Sequence, residues 1–295
     1  MWRYLYISIF FMIAFSIFGF SVYWYGIFYA ITFLFAYIFL SYITQKAVFR
    51  DILPGLHSVL KKSVDDVFMY AVLGVLIWWR LWHIFIYDFT YYLHNPLQTI
   101  MLRNWGMSFI GGIIGVVTAM ILFLWKNKMS ARDFFALWDL LFIPTAFGIM
   151  IGRVGNFLNQ ELYGIPVSES IFSNFPQFSG FASKVWLFHV YSHIDTVLRI
   201  NTNMLSSIFE GGLLLLVLLS ISFFSLKKKT RFPGLLVGIF FVWYSIVRFL
   251  LEYRRTDSQL EFVGLLTKSQ WFFLLFASFG LIFLCLRKRL FATKQ

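Results

Sequence analysis

The chain has 295 residues, of which 60% are hydrophobic, 22% aromatic and only 13% charged, with a formal net charge of +12. Together with a mean hydropathy of +0.77, this suits lipid as a solvent and excludes an ordinary soluble domain. The cations gather in short loops, so the net charge reads as a topology signal and a contact with anionic lipid headgroups, not as a surface for nucleic acid.

Residues 1–21 are apolar and run "WRYLYISIFF" after Met1, with no A-x-A-like cleavage site behind them. They are expected to lie in the membrane interface. Seven spans then follow at about 22–43, 67–87, 107–125, 137–157, 207–226, 234–253 and 269–286. Each approaches the roughly 20 apolar residues a helical span needs. No period-two alternation suggests a β-barrel. The expected fold class is therefore an all-α integral membrane protein with a seven-helix body over residues 22–286 and a basic tail at 287–295.

The loops set the orientation. Lys46, Arg50, Lys61 and Lys62 share one loop, Lys126, Lys128 and Arg132 another, Lys227, Lys228, Lys229 and Arg231 a third, and Arg287, Lys288, Arg289 and Lys294 the tail. These are 15 of the 25 Lys and Arg, all on one side. Taken as cytoplasmic, they put the N-terminus outside and the C-terminus inside. The long outer segment 158–206 mixes prolines with aromatics such as Phe172, Phe175, Phe178 and Trp186, which suits a small folded cap. The shorter outer segment 88–106 carries Asp88, His94 and Arg103. Cys285 is the single cysteine, so no internal disulfide is possible.

The polar residues inside the spans share one depth, towards the outer side. They are Arg80, Arg153 and Arg248, with Tyr25, Glu210 and Gln270 at the outer ends of their spans. An arginine at a bilayer centre costs about 2.5–3.5 kcal/mol on insertion scales, so three at one depth imply a shared reason. Structural pairing would join Arg248 to Glu252 and Arg153 to Glu161. In "YSIVRFLLEYRR", Tyr244, Arg248, Glu252 and Arg255 fall on one helix face. Paired guanidiniums suit a phosphate, which they grip bidentately. Arg153 and Asn156, at i and i+3, add a cation and an amide. Gly111, Gly112 and Gly115 in "GMSFIGGIIG" permit close helix packing or close approach of a ligand. Asp139 reads as a structural partner at a helix entry, His83 as a packed histidine, and His189 with His193 as too few ligands for a metal.

The segment "IGRVGNFLNQELYG", residues 151–164, resembles the signature of the prolipoprotein diacylglyceryl transferases of bacteria, from Gly152 and Arg153 through Gly155, Asn156, Asn159 and Glu161 to Gly164. "YWYGIFY" around Tyr25, "GMSF" before Gly111–Gly112, "YSIVRFLLEYRR" around Arg248 and "SQ" at Ser269–Gln270 are similar in the same order. The resemblance implies transfer of the diacylglyceryl group of phosphatidylglycerol to the lipobox cysteine of a prolipoprotein, with release of glycerol phosphate, in the bacterial cytoplasmic membrane. It implies that Arg153 and Arg248 hold the lipid phosphate while Tyr25, Asn156, Glu161, Glu252 and Arg255 shape the site. The expected catalytic residues are thus Arg153, Arg248 and Tyr25, and the expected substrate contacts beside the two arginines are Asn156, Asn159, Glu161, Gly164, Tyr244, Glu252, Arg255, Gly111 and Gly112. Neither metal nor cofactor is expected.

The chain also departs from that family. Ile110 stands where the family carries a histidine that could serve as base, Trp78 and Trp79 replace small residues beside Arg80, and "INTNMLS" replaces "HPSQLYE" at 200–206, although Arg199 and Glu210 remain. A non-catalytic phospholipid-binding paralogue is therefore the first alternative. A transporter of an anionic solute is the second; against it, the polar groups cluster at one depth and no inverted repeat is evident.

Overall fold

The computed structural model describes residues 13–17, 20–86, 89–99, 109–169, 187–192, 194–229, 233–256 and 261–290. Residues 1–12 of the expected interfacial segment, Asp88, Arg103, His193, residues 170–186 of the expected cap and the side chain of Ile110 lie outside this set.

The chain is mostly helical. Among the described residues, six helices are long and apolar enough to cross a membrane: Trp24–Thr44, Pro54–Ile86, Ala131–Leu158, Thr202–Lys227, Leu235–Glu252 and Lys268–Arg287. The shorter apolar stretch Gly111–Lys126 falls where the third span is expected. These are the helices of a multi-pass membrane protein. The all-α expectation is corrected in one respect, because three short antiparallel hairpins are present among the described residues: Ile13–Ile17 with Phe20–Tyr23, Phe188–Val190 with Leu198–Ile200, and Phe262–Val263 with Leu266–Thr267. None exceeds five residues on a strand, too short to leave the alternation that marks a strand in sequence. The second span also starts earlier than expected, at Pro54, with a kink at Ser63 (φ −139°, ψ 32°) that absorbs the charged run 61–66 into the helix.

Two compact units divide the chain, one comprising Met1–Ala36 with Trp138–Gln295 and the other Tyr37–Leu137. In the second unit, the helix Pro54–Ile86 packs closely on Phe109–Lys126. A side chain at Gly74 would strike the Gly115 carbonyl, and one at Gly115 would strike the Gly74 carbonyl. Gly111 likewise meets the Trp78 carbonyl and Trp82, whereas Gly112 has only Val75 Cγ1 at 3.9 Å. The glycines at 111 and 115 thus serve backbone approach between helices. Arg80 is held inside this unit by the Thr99 carbonyl at 3.1 Å and by the Tyr92 ring at 5.0 Å. His83 packs against the same ring, as expected of a structural histidine.

In the first unit, Asp139 is buried and accepts from the backbone N–H of Gly234 at 2.6 Å and of Val237 at 2.9 Å. It caps the start of Leu235–Glu252, whose first N–H groups have no partner within their own helix. Gln270 caps the last span by exchanging hydrogen bonds with Thr267, at 2.9 and 3.1 Å, so its polarity has a structural purpose.

The Gly74–Gly115 contact generates a prediction. Gly115→Ala should lower the thermal midpoint of the purified protein by the equivalent of about 1–3 kcal/mol, the usual cost of overpacking. Gly112→Ala should leave it unchanged. Equal melting of both variants, followed by near-ultraviolet circular dichroism, would refute the close-packing account.

Candidate functional site

The polar residues of the first unit form two linked clusters. The larger is a chain of alternating charge: Arg153, Glu210, Arg248, Glu252 and Arg255. Arg153 donates through Nε at 3.0 Å and Nη2 at 2.8 Å to Glu210 Oε2. Arg248 Nη1 reaches the other oxygen of Glu210 at 3.4 Å, and its Nη2 lies 3.4 Å from Glu252 Oε2. Arg255 Nη1 completes the chain at 3.3 Å from that same Glu252 oxygen. Glu210 is 0% exposed, and Arg248, Glu252 and Arg255 are below 10%, so the pairs are shielded from water and count for more than surface pairs do. Three guanidiniums and two carboxylates leave one positive charge in the chain.

Local structure aims these groups. Glu210 sits in a π-helical turn, Ser207–Gly212, a wide turn that often marks a functional site. Ser206 Oγ donates to Glu210 Oε1 at 3.0 Å, and Ser207 Oγ to the Met150 carbonyl at 2.8 Å. Gly211 lies so close to Met150 that any side chain would strike its backbone. The π turn is thereby pressed onto the helix that carries Arg153. The ring of Phe240 stacks on Tyr244 at 5.8 Å, which holds Tyr244 beside Arg153 and Glu210.

The second cluster gathers on Glu161 Oε1. The Tyr25 hydroxyl donates to it, Asn156 Nδ2 donates to it at 3.0 Å and also to the Tyr25 oxygen, and Asn159 Nδ2 lies at 3.4 Å. The buried Oδ1 of Asn159 has no protein partner, a free acceptor at the edge of the cluster. Gln160 (φ 54°) and Leu162 (φ 56°) both take left-handed backbone conformations. That conformation is costly for non-glycine residues and is typically retained where a site requires it. Asn203 Nδ2 fastens the Glu161 carbonyl at 2.7 Å, and Thr202 Oγ1 the Leu162 carbonyl at 2.7 Å.

The loop then docks on the end of the Arg248 helix. Gly164 bridges Arg255, the Ile165 N–H donates to the Arg254 carbonyl at 2.9 Å, and Arg199 Nη1 and Thr256 Oγ1 both donate to the Gly164 carbonyl. A side chain at Gly164 would collide with the Ile200 and Arg254 carbonyls. Arg199 is itself anchored by Asp195 at 2.5 Å and by the Tyr163 ring. Asp195 beside this guanidinium titrates below the usual carboxylate range. His189 packs edge-on against Phe157 and Tyr191, and burial lowers its pKa. Burial raises the Tyr191 hydroxyl to about 12.

Of the site residues expected from sequence, Arg153, Tyr244, Arg248, Glu252 and Arg255 meet in the first cluster, and Tyr25, Asn156, Asn159 and Glu161 in the second. Gly164 joins the signature loop to Arg255. Gly111 and Gly112 belong to the other unit. The structural pairing that would join Arg153 to Glu161 is not the one formed: Arg153 binds Glu210, because the chain turns sharply after Leu158 and carries Glu161 towards Tyr25. Glu210 was visible in the sequence only as an acidic residue opening an apolar span. Its role as the shared partner of two arginines 95 residues apart was not legible there.

The family model for prolipoprotein diacylglyceryl transferase matches residues 12–286. Among similar proteins, the phosphatidylglycerol–prolipoprotein diacylglyceryl transferase of Ehrlichia canis (strain Jake) is 31% identical over 252 residues, covering 85% of either chain. That of Azospirillum brasilense is 34% identical over 211 residues, 71% of either chain. That of Wolbachia pipientis wMel is 31% identical over 254 residues, covering 86% of this chain and 85% of its own.

Glu210→Ala should destabilise the protein by about 3–5 kcal/mol, because it leaves two buried guanidiniums short of a partner. Glu261→Ala removes only an exposed partner of Lys268 and should change stability by less than about 1 kcal/mol. Similar midpoints for the two variants in thermal unfolding would count against the shared-carboxylate account.

Proposed function

Because the chain belongs to the prolipoprotein diacylglyceryl transferase family, we propose that it transfers the diacylglyceryl group of phosphatidylglycerol to the lipobox cysteine of a prolipoprotein. The thiol sulfur forms a bond to the glyceryl carbon as that carbon's bond to the phosphate oxygen breaks. Glycerol phosphate leaves, and the thiol proton passes to a base or to water. The observation that carries this reading is the Arg153–Glu210–Arg248 triad. It holds two guanidiniums at fixed spacing in a buried setting, where they can meet the charge that grows on the leaving phosphate.

The two arginines are not held alike. Arg153 commits Nε and Nη2 to short bonds with Glu210, whereas both contacts of Arg248 are 3.4 Å long. Arg248 is therefore the readier of the two to turn towards a phosphate, with Arg153 and Glu210 as its support. The single net positive charge of these three arginines and two glutamates matches the single negative charge of a phosphodiester. Asn156, Asn159 and Glu161 with Tyr25 line the second cluster, where a proton received at the Tyr25 oxygen can pass to Glu161 Oε1. This relay answers the absence of an ionisable side chain at Ile110.

The protein is read as a seven-span protein of the bacterial cytoplasmic membrane, with the N-terminus and the 158–206 cap outside and the C-terminus inside. The distribution of Lys and Arg supports this orientation. Ser168 is exposed at the start of the cap. Ser168→Cys in a Cys285→Ser background should react with an impermeant maleimide on intact spheroplasts. Reaction only after permeabilisation would reverse the orientation.

The activity is tested by incubating the purified protein with phosphatidylglycerol and a lipobox peptide, and following the thioether product. Arg153→Ala and Arg248→Ala should each cut turnover by at least about 10²-fold. Lys at either position should restore it only in part, since Lys keeps the charge but loses the fork. Full turnover in both Lys variants would remove the guanidinium argument. The isoleucine at 110 favours one rival, a non-catalytic lipid binder. Lipid retention without turnover, with activity appearing on Ile110→His, would establish that rival.

A further inference from the structure

The unit Tyr37–Leu137 holds a cavity of about 500 Å³ that shares no residue with the arginine chain. It forms where the end of Trp24–Thr44 meets the helix Ala47–Ile52 and the kinked start of Pro54–Ile86. Its lining includes four cations, Lys46, Arg50, Lys61 and Lys62, against one carboxylate, Asp65. That carboxylate faces the Tyr37 hydroxyl on the opposite wall. Arg50 has Asp51 beside it at 3.5 Å, both exposed to water. Lys46 rests on the Tyr42 ring at 4.0 Å. Among the described residues, Lys61 and Lys62 have no carboxylate partner.

Helical periodicity concentrates the charge. At 100° per residue, Lys61 stands about 40° and Lys62 about 60° from Asp65, so the three share one face on either side of the kink. With Ser63 at φ −139°, Lys61 and Lys62 before the break and Asp65 after it line the same concavity. The hydroxyl residues Ser41 and Thr44 add polar groups from the facing helix.

We propose that this cavity is a second phospholipid site, which takes the phosphate of an anionic phospholipid from the leaflet on the basic side of the membrane. A phosphate finds there an excess of positive charge. What favours a lipid over a free phosphate is the surface that leads away from the cavity. Met69 and Leu73 lie four and eight residues beyond Asp65, on the same helix face, and are 50% and 49% exposed. Tyr37, 41% exposed, closes the strip from the other helix, edge-on to Phe68 at 5.5 Å. A headgroup in a cationic recess with acyl chains on an adjoining apolar strip is the arrangement that basic pockets between membrane helices offer to anionic lipids. A free phosphate would use the recess and leave the strip bare. The leaflet named here rests on the orientation proposed above; the binding does not.

The test is native mass spectrometry of the full chain in detergent, with phosphatidylglycerol as the probe. The wild type should retain two lipids. The variant Lys46→Gln/Arg50→Gln/Lys61→Gln/Lys62→Gln should lose occupancy of one by at least about tenfold while keeping its transferase turnover. Lys46→Arg/Lys61→Arg/Lys62→Arg should keep both lipids, which separates lost charge from lost folding. Arg153→Ala/Arg248→Ala should lose the other lipid only; if it loses none, the transferase reading suffers and the second site stands. Equal retention by the four-glutamine variant and the wild type would overturn the proposal. So would equal retention of phosphatidylcholine in the cavity, or binding of inorganic phosphate there with no lipid retained.

Discussion

A carboxylate with no access to water holds this structure's functional half together. Glu210 divides its two oxygens between Arg153 and Arg248, which come from different helices. Each guanidinium needs a counter-charge to exist in the membrane, and the carboxylate needs at least one guanidinium. The arrangement fixes the relative position of three helices at one depth. The π turn and the glycine at 211 follow from it, because a regular α turn carrying a side chain at that position could not sit against Met150.

From that centre the order of the remaining parts can be understood. Glu252 extends the charge chain to Arg255, and Arg255 lies where the signature loop bridges the end of its helix at Gly164. The loop is thus tied to the arginines by backbone hydrogen bonds, and to Tyr25 by side chains. The hairpin of Phe188–Val190 with Leu198–Ile200 enters through Arg199, which holds the Gly164 carbonyl. Rigid helices carry the cations while the loop carries the amides. This division suits the reading proposed above, in which a phosphate is held firmly while a lipid and a peptide enter.

The helices were legible because apolar runs of this length have one solvent in which they are stable, and the stripe Tyr244–Arg248–Glu252–Arg255 was legible because helical periodicity puts it on one face. The role of Asp139 at a helix entry followed from its place near a span end. What escaped was everything that depends on partners distant in sequence. Glu161 is the carboxylate nearer to Arg153 in sequence, and no local signal announces the left-handed turns at Gln160 and Leu162 that carry it away. Gln270 was grouped with the polar layer although its contacts are those of a cap. Gly111 gave no means of deciding between a helix neighbour and a ligand until Trp78 and Trp82 were seen against it. Hairpins of two to five residues lie below what any periodicity can resolve.

The separation of 57 residues between Arg153 and Glu210 has a consequence for biogenesis. The helix bearing Arg153 is synthesised first, and at ribosomal speeds its counter-ion follows roughly 3–11 s later. During that interval the guanidinium has no Glu210. The nascent span must therefore remain beside the insertion machinery, reach its charge towards the headgroups, or carry water with it. Arg248 enters after Glu210 and faces no such delay. The middle of the chain is accordingly its most vulnerable stage of assembly, and the arrival of the helix Thr202–Lys227, which brings Glu210, is the event that commits the bundle.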